Sequence, residues 1–323
     1  MDTPLLSINI VSYNTKDLTI ECLRSIQRSI TKSWITQNPH QDIEVVIVDN
    51  DSFDGTIEAI EELQKSFPIP IKLIKNQSNL GFGKGHNLAS RESKGEILLI
   101  LNTDTLVMND FLSSFTTKFL KRNPSKLEKY KYLIKDESNG EKVHFLGPKL
   151  LNKDLSPQPS CGPHYSIPVI IASLFLKGDH FGMTRMSPNS DAQVDWISGA
   201  CIMCKKSDFE DLRGFDEGIF MYMEEIEMLY RARKLGMTVW FTPISEAIHI
   251  GSASSNKTFP ILQVYRGFIY LYKKHHSPLA LTMVQSILTL KSVVAMGLGR
   301  LFRKQNIVDT YAESLKVLKD SKS

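Results

Sequence analysis

The first 110 residues alternate between short runs of branched apolar residues and segments with helical apolar spacing. LLSINIVSY (5–13) and IEVVIVD (43–49) are rich in branched apolar residues and read as buried strands, with IKLIKN (71–76) and EILLIL (96–101) as a third and a fourth strand. Asp17 to Ser29 places Leu18, Cys22, Leu23 and Ile26 on one stripe, with an acid near its start. Asp54 opens a second helix carrying Ile57, Ile60 and Leu63; a short helix follows near Asn87–Ser90, and another at Asp110–Lys121. Strands alternating with crossover helices predict a three-layer α/β architecture around a mostly parallel sheet. Residues 123–140 are polar and Lys-rich, a surface excursion, and 157–188 read as a long irregular loop with an apolar stretch, IPVIIASLFL. Regular structure resumes near Val194 with a short strand through WISGACIMC, a helix from Ser207, a helix over Glu224–Leu235 and the strand VWFTP; the remainder is helical.

In open parallel sheets ligands bind beyond the carboxyl ends of the strands. Here those ends carry Ser12-Tyr13-Asn14, Asp49-Asn50-Asp51-Ser52 and Asn102-Thr103-Asp104-Thr105. One such group is an ordinary cap or turn; three on one edge point to a ligand. An Asp there can accept from a nucleobase or ribose, and another can hold a divalent cation against diphosphate oxygens. The turn NLGFGKGHN (79–87) offers glycines where backbone approaches a ligand closely, though it matches neither a dinucleotide fingerprint nor a P-loop.

The ordered series VSYNT, VDNDSFDGT, NLGFGKGHNLA, LNTDT, WISGACIMCKKSDFEDLRGFDEGIFMYMEEIEM and the later His249 resembles the motif set of family 2 glycosyltransferases, nearest the rhamnosyltransferase-like and galactofuranosyltransferase-like bacterial branch. The resemblance covers roughly Leu5–Ser254. It implies a GT-A fold over 1–256, with a nucleotide-binding half (1–110) and an acceptor-binding catalytic half (140–256). It also implies inverting transfer of a sugar from a nucleotide-diphosphate donor (dTDP-rhamnose or a UDP-sugar) to a glycan or polyprenyl-linked hydroxyl in surface polysaccharide assembly. Ser12, Asn14, Asp49, Asn87, Asn102 and Asp104 would line the donor, Asp49 touching the base. Asn102 stands at the first acid of the family's metal motif, so Asp104, with His249, would hold Mn²⁺ or Mg²⁺. Glu224-Glu225 occupies the place of the family's acid pair, with Glu225 expected as general base because adjacent acids at a helix start diverge by about 100°. Trp196 is expected to stack on an acceptor sugar. A non-catalytic nucleotide-sugar-binding protein and a sugar nucleotidyltransferase are the alternatives; the second would want a basic, Gly-rich loop after the first strand, where Ser12-Tyr13-Asn14-Thr15 stands instead.

The net charge of +4 hides an asymmetry: residues 257–323 hold eleven Lys or Arg against three Asp or Glu, while the rest is net acidic. Within this helical tail, 279–302 is apolar but interrupted by Lys291 and flanked by basic residues. It barely meets the length of a spanning helix, so three placements are open: spanning, lying in the membrane interface, or packing on the catalytic domain or a second subunit of a homo-oligomer. Membrane rather than nucleic acid is the expected partner of the basic surface. Cys22, Cys161, Cys201 and Cys204 form no disulfide framework, and Cys201–Cys204 is a lone CxxC read as lining a buried strand. The first residues lack a basic leader, so the expected location is cytoplasmic, peripheral at the inner membrane face.

Overall fold

The computed structural model describes residues 3–31, 42–123, 141–251 and 258–321; the 123–140 excursion therefore lies almost wholly outside the described residues. β1 (Leu6–Ser12), β2 (Ile43–Asp49), β3 (Ile71–Lys75) and β4 (Ile97–Asn102) are the four expected strands, paired parallel in the order β3-β2-β1-β4. The sheet then continues through β11 (Cys201–Lys205), β6 (Phe145–Leu151), β12 (Val239–His249) and β5 (Thr105–Val107), with β7 (Pro157–Gln158) and β9 (Ala192–Val194) as side branches. β11 runs antiparallel to both β4 and β6. The result is the mixed α/β sheet of the GT-A fold.

Branched residues in β4 explain why both faces are covered. Leu99 and Leu101 point into one core with α1 (Lys16–Thr31) and α4 (Phe111–Arg122), whereas Leu98 and Ile100 point into the other. α2 (Thr56–Gln64) follows β2 as expected. α3 (Phe82–Glu92) starts inside the Gly-rich turn, five residues before the expected helix. The WISGACIMC strand is split: β10 (Trp196–Ile197) pairs with β8 (Cys161–Gly162), the chain breaks at Ser198–Ala200, and β11 begins. Cys201 and Cys204 line that buried strand as free thiols. The supposed loop 157–188 contains β7, β8 and α5 (Ile167–Phe175), whose Pro lies in the first turn, where its missing N–H costs nothing.

α6 (Lys206–Asp211) and α7 (Glu224–Lys234) complete the part of the chain that precedes the helical extension. α8 (Thr258–His275), α9 (Pro278–Leu301) and α10 (Gln305–Asp320) form the helical extension. It is packed on the second core through Tyr265, Phe268, Leu271, Tyr272, Val284, Leu288 and Leu318. A buried ionic knot locks it: Glu227 of α7, fully buried, accepts from Arg231, Lys274 and His275 at 2.8–3.0 Å.

The glycines of 79–87 serve packing rather than ligand approach. Gly81 has φ +80°, and a Cβ there would sit 2.3 Å from the Phe220 carbonyl, while Phe82 N–H donates to that same carbonyl at 3.0 Å. Gly83 gives room to Phe215 and Gly85 to Val11. The turn is thus the seam between the two halves. Gly81→Ala should lower the urea midpoint by the equivalent of about 1–3 kcal/mol, the cost of one side chain forced into a glycine-only conformation; an unchanged midpoint would show that the seam can open freely.

Candidate functional site

The loops after β1 and β2 are wired together before any ligand arrives. Asp49 is fully buried; its Oδ2 accepts from Ser12 Oγ at 2.7 Å and Ser52 Oγ at 2.8 Å, and its Oδ1 accepts from Ser52 N–H at 2.8 Å. Asn14 N–H donates to Ser52 Oγ, and Asn14 Oδ1 accepts from Phe53 N–H at 2.9 Å. Asn14 and Asp51 both adopt positive φ (51° and 69°), a conformation that Asn and Asp tolerate best after glycine. Asp49 therefore shapes these loops from below, and its carboxylate is closed off from solvent.

Backbone register brings Asp104 and His249 together. β12 pairs β5 with His249 opposite Thr105, and Ile250 N–H donates to the Asp104 carbonyl at 2.8 Å. His249 Nε2 then lies 3.4 Å from Asp104 Oδ1. That separation is within ion-pair range, but the angle makes no hydrogen bond, so Asp104 Oδ1 is a buried oxygen without a partner. A carboxylate oxygen and an imidazole nitrogen side by side suit Mn²⁺ or a similar divalent cation. Among the described residues no third His, Cys, Asp or Glu completes a cluster, so a cation here would fill its shell from water or a ligand. Asn102 ends β4 beside this pair, its backbone N–H on the Ala200 carbonyl at 3.0 Å.

The acid pair opens α7 after an unusual turn. Tyr222 (φ 64°) and Met223 (φ 74°) are successive non-glycine residues in the left-handed region, each costing of order 1–3 kcal/mol. Gly267 on α8 makes the turn possible: a Cβ there would be 2.5 Å from Met223 Cγ. The turn drives Glu224 into the protein (4% exposed), where its Oε2 has no partner, and leaves Glu225 partly exposed. Burial, reinforced by Glu225, pushes the Glu224 carboxyl well above the usual carboxylate range. Burial also raises Glu225, but backbone N–H groups of Glu225, Gly199 and Ile226 and the Arg185 guanidinium favour its ionised form. Both carboxyls are thus raised, and Glu224 is the harder of the two to ionise. The Tyr222 phenol is pushed up by burial, then by the charges of Glu224 and Asp104, which lie near enough to act on it.

Known proteins resemble this chain. The family described as "Glycosyl transferase family 2" matches residues 7–164. That stretch is a family 2 glycosyltransferase domain. It is 24% identical over 251 residues to the N-acetylglucosaminyl-diphospho-decaprenol L-rhamnosyltransferase of Mycobacterium tuberculosis, covering 70% of this chain and 71% of that one. With the rhamnosyltransferase WbbL of Escherichia coli it shares 26% identity over 189 residues, 55% of this chain and 64% of its relative. Among solved structures, the mannosyltransferase PcManGT from Pyrobaculum calidifontis, in complex with GDP-Man and Mn2+, superposes with a TM-score of 0.53 at 16% identity, covering 98% of this chain and 86% of that one. This shares the fold.

Two residues of the glycosyltransferase stand elsewhere than expected. Trp196 is 4% exposed, donates its indole N–H to the Pro163 carbonyl at 2.9 Å and stacks on Tyr165 at 6.0 Å. It is a packed core side chain and offers no free face to an acceptor. Asn87 is also spent: its amide donates to the Phe215 carbonyl (2.9 Å) and Glu217 (3.1 Å), and its oxygen accepts from Phe215 N–H (2.9 Å). It clamps α3 to the 214–217 turn rather than facing a donor. Arg185 and Gln158 are the residues sequence reasoning missed. Both lie in the stretch read as an irregular loop, and only three-dimensional contacts with Glu225 and His249 reveal them. Asn87→Ala should lower unfolding free energy by about 1–3 kcal/mol, the cost of stranding buried partners, with nucleotide affinity of the folded enzyme unchanged in calorimetry. Lost affinity without lost stability would return Asn87 to the donor site.

Proposed function

We propose that this glycosyltransferase inverts the anomeric centre as it moves a sugar from a nucleotide-diphosphate donor, dTDP-rhamnose or a UDP-sugar, to a hydroxyl of a glycan or lipid-linked acceptor in surface polysaccharide assembly. The observation that carries this reading is the meeting of Asp104 and His249 across the β5–β12 ladder, with the acid pair Glu224-Glu225 opening α7 and Glu224 near enough to Tyr222 to act on the same phenol as Asp104. Ser12, Asn14 and Asp49 shape the nucleoside end, and Asn102 and Asp104 the phosphate end. Asp104 and His249 would hold Mn²⁺ or Mg²⁺, which supplies positive charge to the departing diphosphate. Glu225 takes the acceptor's hydroxyl proton as the new carbon–oxygen bond forms. The bond to phosphate breaks on the opposite face, and no covalent intermediate on the protein is needed. Glu224, the harder of the two to ionise, leaves Glu225 as the base of the pair.

Turnover read as released nucleoside diphosphate, with dTDP-rhamnose and UDP-hexoses side by side, tests this. Glu225→Gln should lower it about 10²–10⁴-fold with donor affinity retained, and Glu224→Gln should be milder. Because burial raises Glu225, the base form is lost as pH falls through a value above 4.5, so the acid limb of the wild-type profile should lie above that of an exposed glutamate. Near-normal turnover in Glu225→Gln overturns the assignment.

The membrane placement rests on α9. Its inner face buries Val284, Leu288, Ser292 and Gly299, while Leu279, Met283, Leu290, Val293, Leu298 and Leu301 recur at helical spacing on the exposed face. Two-sided apolar character with one side already packed favours lying in the interface over spanning. The charge on 278–304 is Lys291, Arg300, Arg303 and Lys304 with no acid, which complements anionic headgroups and disfavours a second copy of the same surface. Phe175 and Leu176 of the α5 end, exposed beside Lys291, extend the patch. Flotation with phosphatidylcholine vesicles should show binding only when phosphatidylglycerol is added, weakening as salt rises. Leu290→Ser with Leu298→Ser should release the protein. Salt-independent binding, or a dimer in light scattering that this double substitution dissolves, would assign the face to another partner.

A further inference from the structure

We infer that Gln158 is a positioning residue that fixes the tautomer of His249, turning a bare Nε2 toward Asp104; the inference rests on the reading of Asp104 and His249 as a cation site. The argument begins with the amide of Gln158, whose two ends are distinguishable by their neighbours. Its nitrogen faces two acceptors, Asn152 Oδ1 at 2.9 Å and the His249 backbone carbonyl at 3.2 Å. Neither can donate, so the –NH₂ group belongs on that side. Asn152 is itself held the same way round, its own Nδ2 donating to Ser156 Oγ at 2.9 Å. The Gln158 oxygen is thereby left to face His249 Nδ1, at 2.7 Å. An amide oxygen only accepts, so Nδ1 carries the hydrogen. In a neutral imidazole the other nitrogen then has a free lone pair.

That lone pair lies beside an electron-rich neighbour. Nε2 is 3.4 Å from Asp104 Oδ1, which is buried and has no hydrogen bond. Two acceptors held side by side in a largely buried place repel one another unless a positive charge lies with them. Had Gln158 been flipped or absent, Nε2 could carry the hydrogen and, after a small ring rotation, satisfy Asp104 internally, filling the place a cation would take. Gln158 blocks that outcome. It also braces the backbone of the ligand it orients, through its bond to the His249 carbonyl. β7 supplies the geometry: Gln158 pairs with Leu150 on β6, and β6 runs beside β12, so the strand carries the amide to His249. Outer partners of this kind, which set ring orientation and tautomer, change metal affinity by about 10–100-fold when removed.

The test reads the tautomer itself, apart from turnover. Full-length protein labelled with ¹⁵N-histidine is examined by long-range ¹H–¹⁵N correlation at a pH where the ring is neutral, with the His249→Ala spectrum assigning the signal. Wild type should show the Nδ1–H pattern. Gln158→Leu should switch it to Nε2–H and weaken Mn²⁺ binding, followed by the electron paramagnetic resonance of free Mn²⁺ with UDP present, about 10–100-fold. Gln158→Glu, whose carboxylate still accepts from Nδ1–H, should keep the wild-type pattern, and it serves if the leucine variant folds poorly. An Nδ1–H signal that survives in Gln158→Leu overturns the inference. If His249→Ala leaves Mn²⁺ affinity unchanged, the cation reading fails instead, whatever the tautomer shows.

Discussion

β4 and β11 pair antiparallel with Cys201 opposite Leu101, so the end of one strand lies against the start of the other. Everything chemical in the molecule depends on that junction. The Asn102 N–H and the Thr105 hydroxyl both meet the Ala200 carbonyl, which fixes the 102–105 turn against the break that precedes β11. Gly199, in the same break, offers its N–H to Glu225. A strictly parallel sheet would have carried the second half of the chain away from the 102–105 turn; the reversal brings it back beside that turn.

Much of this was legible in the sequence, and the reasons for success and failure are physical. β1, β2 and β4 declare themselves because a strand covered on both faces is apolar at most positions: Ile97–Leu101 is apolar throughout, and Leu5–Ser12 and Ile43–Asp49 are interrupted only by Ser7, Asn9, Glu44 and their terminal residues. The juxtaposition of Asp104 with His249 came from family resemblance; nothing in local spacing shows that residues so far apart share a ladder. Trp196 and Asn87 misled for a related reason. An indole and an amide look like binding groups, yet each finds its partner in backbone that no periodicity reveals, Pro163 for one and Phe215 for the other. The glycines of the 79–87 turn were read as space for a ligand, and the space is taken by Phe220, Phe215 and Val11.

The adjacent acids illustrate how a strained backbone and electrostatics cooperate. Left-handed Tyr222 and Met223 turn the chain so that α7 starts with one carboxyl inside and the next at the rim. Once Glu224 is sealed from water, ionising both acids is unfavourable, and the backbone donors around Glu225 make it the easier of the two to ionise.

β5 is only three residues long and forms the outer margin of the sheet, held by β12 alone in the main strand order. Asp104 immediately precedes it and His249 lies across from its first residue. An ion bridging these two side chains would bind only when that margin is zipped, so by mass action occupancy and edge order must rise together. The short strand would then behave as a latch whose closed state the cation populates, and slower amide exchange at Leu106 and Val107 would report how tightly that edge is held.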